Sequence, residues 1–171
     1  METEYEKTQI ITDSDDIGKL STIAEAFQTI YPLETGILRL GRRKIPEHIV
    51  LKAQKTRVMG FLQCDSNSFT TRIKNFNELV VSHKDKRFEL LRDVRQPPLK
   101  GEVGKREIEK LQNSSNGNFV PLDKSTRIEL ELLYNLIVEI QNRDLEIPLE
   151  EALKFLCDEP QQHWLIKLFV S

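Results

Sequence analysis

The sequence predicts a mainly α fold with a small β-hairpin, an α+β class. Three observations point there. Apolar residues recur at three- and four-residue spacing through most of the chain, one pair of neighbouring runs reads as β-prone, and proline or short polar residues punctuate the runs. A chain of 171 residues with 39% hydrophobic and 30% charged side chains has room for one core and a small appendage. The division falls at the linker-like run 113–118, NSSNGN. Residues 1–112 then form a helical domain with a basic centre, and residues 119–171 an acidic C-terminal three-helix subdomain.

Residues 1–12 are polar apart from Ile10 and Ile11 and read as a tail or an edge strand. A helix follows from about 14 to 31, with Ile17, Leu20, Ile23, Ala24, Phe27, Ile30 and Tyr31 in one stripe. Asp13 or Ser14 caps its free N–H groups and Pro32 stops it. The Asp13, Asp15, Asp16 cluster fits a capped, dipole-favoured helix start better than a metal site. Residues 35–45, TGILRLGRRKI, read as a short strand or a connection and end in the densest positive cluster, Arg42, Arg43 and Lys44. Pro46 suits the first position of a second helix, running to about 62. In that helix Ile49, Val50, Ala53, Val58, Phe61 and Leu62 face inward, while His48, Lys52 and Lys55 share the opposite face.

The stretch 66–95 carries the sharpest expectation. Phe69, Ile73 and Phe76 commit one face of a short helix to a core, which turns Thr71, Lys74 and Asn75 outward and leaves Arg72 on the flank. Residues 78–82 and 87–91 then read as two short strands around a basic tip, His83-Lys84-Asp85-Lys86. Helices followed by a hairpin with a basic tip resemble a winged helix, so the central segment is expected to be winged-helix-like. In that arrangement the second helix enters the major groove and the wing touches the backbone. The competing reading is an amphipathic helix in a bundle, and Glu78 on the outward face would repel phosphate.

Beyond Gln96-Pro97-Pro98, which breaks regular structure, residues 99–111 hold one short helix. Gly101 to Lys105 is too short of glycine, and lacks the Ser or Thr, that a phosphate loop needs. The C-terminal part reads as a helix over 122–142, a second opened by Pro148 and a third opened by Pro160. Trp164, Leu168 and Phe169 on the third would make an apolar partner interface.

The net charge of −2 hides a segregation. Residues 1–35 hold 2 Lys/Arg against 8 Asp/Glu, residues 36–110 hold 18 against 9, and residues 111–171 hold 5 against 10. A basic centre between acidic ends suits a surface that meets a polyanion; the alternative is that centre and ends pair with one another in the fold. The histidines, His48, His83 and His163, have no cysteine or second histidine at metal-ligand spacing, and no GxSxG, HExxH or GxGxxG occurs. Cys64 and Cys157 form no CxxC and the opening METEYEKTQ is not a secretory leader, so a cytoplasmic, reducing compartment is expected.

The function expected is therefore a small cytosolic, non-catalytic nucleic-acid-binding protein, regulatory and favouring DNA over RNA, with no cofactor, metal or membrane contact. Arg42, Arg43, Lys44, Lys52, Lys55, Lys84, Lys86 and Arg87 would hold phosphates; Thr71, Lys74 and Asn75 would face bases, with Arg72 beside them. The alternative is a protein-interaction or assembly subunit, a homodimer or part of a larger complex, whose basic centre docks an acidic partner. A metal-dependent nuclease built on Glu107, Glu109 and Lys110 is the remaining reading.

Overall fold

Two apolar layers on opposite faces of one sheet organise the chain. The computed structural model describes residues 12–157 except 65, 98 and 100. The expected first helix is α1 (Asp13–Phe27), capped by the Thr12 hydroxyl, which accepts from the Asp15 N–H at 3.1 Å. The sheet follows: β1 (Glu34–Gly36), β2 (Glu47–Lys52) and β3 (Thr56–Phe61), all antiparallel. Helix α2 (Ser66–Ser82) crosses over to β4 (Arg87–Asp93), and α3 (Glu102–Asn113) to β5 (Gly117–Leu122), both strands parallel to their predecessors. The spatial order is β1-β2-β3-β4-β5.

Successive crossovers that advance in one direction and share one hand put their helices on one face. Accordingly α2 and α3 contribute Phe69, Ile73, Phe76, Leu79, Val80 and Leu111 to one core, against Val50, Val58, Phe88 and Leu90 of the strands. Phe76 meets Phe88 edge-to-face at 5.5 Å. Gly60 leaves room for Leu90 and Phe76: a Cβ there would lie 3.0 Å from Leu90 and 3.5 Å from Phe76. The opposite face carries Ile49, Leu51, Met59, Phe61 and Leu91, covered by α1 and by α4 (Lys124–Gln141). Helix α5 (Leu149–Cys157) adds Leu153 to this second core.

The expected architecture is corrected in four places. Residues 46–62 are not a helix but the β2–β3 hairpin. Its strands are covered on both faces, so IVL and VMGFL are near-continuous apolar runs that mimic a helical stripe. Residues 78–82 and 87–91 are not a hairpin: the first is the end of α2, and the second is the parallel strand β4 between β3 and β5. The central segment is therefore not winged-helix-like, and the sheet is central instead of a small hairpin. Nor is there a C-terminal three-helix subdomain among the described residues. The run 113–118 leads from α3 into β5, which pairs with β4, and α4 packs on the core that α1 shares. The expected third helix, with Trp164, Leu168 and Phe169, lies outside the described residues. Among the described residues no helix is long and apolar enough to cross a membrane.

Candidate nucleic-acid interface

Charged side chains gather in two regions of opposite character. The first lies where β3 and β4 end. Arg127 of α4, 1% exposed, grips Asp16 of α1 with two bonds of 2.6 and 3.0 Å and donates from Nε to Asp93 at 2.9 Å. Gln63 donates to Asp16 at 2.9 Å and accepts from the Asp93 N–H at 2.9 Å. Arg95 holds the other Asp93 oxygen at 3.0 Å, and Lys19 holds Glu131 at 2.6 Å. Burial pushes the Asp93 carboxyl up, but bonds from the Arg95 side chain and N–H, with the charges of Arg127 and Arg95, outweigh it and leave it below its ordinary value. Asp13 goes the other way: burial raises its carboxyl, although the Gln63 N–H donates to it and Arg72 lies near. These charges answer one another and tie α1, β3, β4 and α4 together.

The second region is the connection 37–46 and its surroundings. Leu38, Leu40 and Ile45 pack on the core beneath α2, and Arg39, Arg42, Arg43 and Lys44 stay exposed. A tight turn lifts the arginines: the Arg43 N–H reaches the Leu40 carbonyl at 3.1 Å across Gly41, whose φ of 59° favours glycine. His48 fastens the connection to β2, its Nε2 accepting from the Leu38 N–H at 2.8 Å while Nδ1 lies 2.9 Å from the Pro46 carbonyl. These contacts fix the neutral tautomer with the proton on Nδ1. On the α2 side, Asn75 donates to the Lys44 carbonyl at 2.6 Å and Arg43 pairs with Glu78 at 2.8 Å. The connection encloses an open pocket of about 290 Å³.

The structure sorts the residues expected at the interface into three groups. Arg42, Arg43 and Lys44 meet the α2 face that carries Thr71 and Lys74, both exposed. Lys52, Lys55, Lys84, Lys86 and Arg87 gather at the end of the sheet where the β2–β3 turn lies and β4 begins, since Lys52 pairs with Thr56 and Arg57 with Arg87. Asn116 pins this end, its Nδ2 donating to the carbonyls of Val80, His83 and Lys86 at 3.0, 3.2 and 3.1 Å. Glu78 is one helical turn before the end of α2, so the Arg43 side of the connection adjoins the loop that carries Lys84 and Lys86. Two residues fall elsewhere. Asn75 is buried and its amide holds the Lys44 backbone, while Arg72 lies against Cys64 at 3.9 Å, beside the buried charges.

Sequence reasoning passed over Arg39. The alternation Ile37, Leu38, Arg39, Leu40, with Leu38 and Leu40 inward, was the available signal. It also passed over Arg127, whose helical position gives no hint of two aspartates from distant segments. The Cys64 thiol is pushed up by burial and by nearby Asp13, which disfavours the thiolate a nucleophile needs. Glu107 accepts from the Asn77 amide at 2.7 Å, and no group of three or more metal-ligating side chains forms among the described residues. No protein-family model, curated protein or solved structure matches the chain.

Proposed function

We propose that this chain is a non-catalytic, cytosolic nucleic-acid-binding protein that holds the sugar–phosphate backbone against its basic connection 37–46 and the adjoining sheet end. One observation carries the reading. Arg39, Arg42, Lys44, Lys52, Lys55 and Lys74 are exposed and form no ion pair among the described residues, although acidic segments flank them in sequence. Arg43 pairs with Glu78 and Lys86 with Asp85, both within the basic centre. The flanking Asp16 and Glu131 are spent on Arg127 and Lys19. Among the described residues these six cations therefore draw no ion pair from the acidic flanks, and exposed cations of this kind are what a polyanion needs to release its counterions. The Arg43 bond also removes much of the repulsion expected from Glu78.

The test is a titration of a labelled oligonucleotide with the purified chain at low and physiological salt. Binding should weaken linearly in log–log form as salt rises, and reversing Arg42, Lys55 and Lys86 together to glutamate should weaken binding and flatten that slope. If the basic surface instead docks an acidic protein, a polyglutamate chain of equal charge will displace the oligonucleotide at similar concentration.

A further inference from the structure

The pocket beneath the connection 37–46 combines two chemistries that a uniform backbone contact does not require. Its lining places Arg39 and Arg42, neither with a hydrogen bond or ion pair among the described residues, beside Ile37, Leu38, Leu40 and Ile45. Ile37 is 62% exposed, an apolar surface left open among cations. A phosphate alone would use the guanidinium groups and leave the isoleucine in water.

We propose that this pocket receives one unpaired nucleotide of a single-stranded polynucleotide, its phosphate on Arg39 and Arg42 and its base against Ile37. The proposal rests on reading the basic surface as a nucleic-acid interface and names which nucleic acid it takes. A nucleotide has one anionic end and one flat apolar face, and a duplex hides that face in its stack. At about 290 Å³ the pocket is near the lower bound of small-ligand sites, roughly 300 Å³, which suits one nucleotide and exceeds the needs of a bare phosphate. Arginine serves both halves, since its planar guanidinium binds phosphate in bidentate fashion and stacks on bases. The one carboxylate in the lining, Glu47, lies at the start of β2, so the phosphate belongs at the Arg39–Arg42 side. His48 and the Asn75 bond to Lys44 hold the walls in place before a ligand arrives, which lowers the ordering cost of binding.

The experiment compares a labelled oligothymidine with a hairpin duplex of equal phosphate number, using the full chain and anisotropy at fixed low salt. The wild type should favour the single strand by about tenfold or more, the scale of one stacked base. The double variant R39A/R42A should lose that preference, and Ile37→Ser should reduce it. Lys55→Glu, away from the pocket, should weaken both ligands alike. A nucleoside monophosphate should compete at concentrations where inorganic phosphate does not. Equal binding of single strand and duplex, a preference unchanged in R39A/R42A, or equal competition by phosphate would overturn the pocket while leaving the nucleic-acid reading standing. Absence of any oligonucleotide binding would overturn both.

Discussion

The buried Asp16–Arg127–Asp93 cluster and the exposed connection 37–46 use the same kinds of side chain for opposite ends. In the first, Arg127 is 1% exposed and each of its partners is held by a further donor, Gln63 for Asp16 and Arg95 for Asp93. In the second, Arg39 and Arg42 stand in solvent on a connection whose apolar residues and backbone bonds do the anchoring. A buried charge needs a partner for its desolvation to be offset, whereas an exposed one loses little by standing alone. The difference teaches that the surface arginines are not needed for the fold, and the buried one is not accessible to a ligand.

Removing Arg127 should give the largest effect. Arg127→Leu leaves Asp16 without its cation and Asp93 with Arg95 alone, and should cost about 3–5 kcal/mol of unfolding free energy, read from urea denaturation. R39A/R42A should change that same free energy by no more than about 0.5 kcal/mol. A stability loss of similar size in both would erase the distinction.

Asn116→Ala probes the boundary between the two kinds of region, because a buried amide there supports an exposed basic loop. Its loss leaves the carbonyls of Val80, His83 and Lys86 without this donor and should cost about 1–3 kcal/mol. It should also raise amide exchange in residues 83–87.

The pH dependence follows from the buried cluster. Asp93 has a folded-state value below its ordinary one, so it contributes stability above the unfolded value of about 3.9, and that stability is lost as pH falls through the lower folded value. Asp13 is raised and opposes this, since its ionisation at neutral pH costs stability that acid restores. Urea midpoints should therefore fall more gently with acid in Asp93→Asn than in the wild type, and more steeply in Asp13→Asn. A smaller loss belongs to the His48 latch. His48→Ala removes the acceptor of the Leu38 N–H and should cost about 1 kcal/mol, with faster exchange of that amide.

The helices were legible where one face alone is buried. Helix α1 starts one residue before the expected start, with Thr12 and not Asp13 or Ser14 as its cap, and ends four residues before the expected Tyr31; α4 lies within the expected 122–142. The sheet was not legible, because Ile49-Val50-Leu51 and Val58 to Leu62 face a core on each side and so show no alternation. The sequence of strand β4 reads as one arm of a hairpin because Phe88, Leu90 and Leu91 give no sign of which strands flank them. Of the candidate interface, the Arg42–Lys44 cluster was legible from composition. Its support was not: the bonds from Asn75 and to Glu78 join residues about thirty positions apart, and only folding brings them together.

The central claim is that Arg39, Arg42, Lys44, Lys52, Lys55 and Lys74, exposed and without an ion pair among the described residues, hold a polynucleotide together with the basic residues beside them. The most direct measurement is the salt dependence of oligonucleotide binding, wild type against the Arg42, Lys55 and Lys86 reversal. The account predicts a linear fall in log affinity with log salt, with a slope reduced by about 0.7–0.9 for each phosphate contact the variant loses. Identical slopes in the two proteins, or no binding by the wild type at low salt, would contradict it.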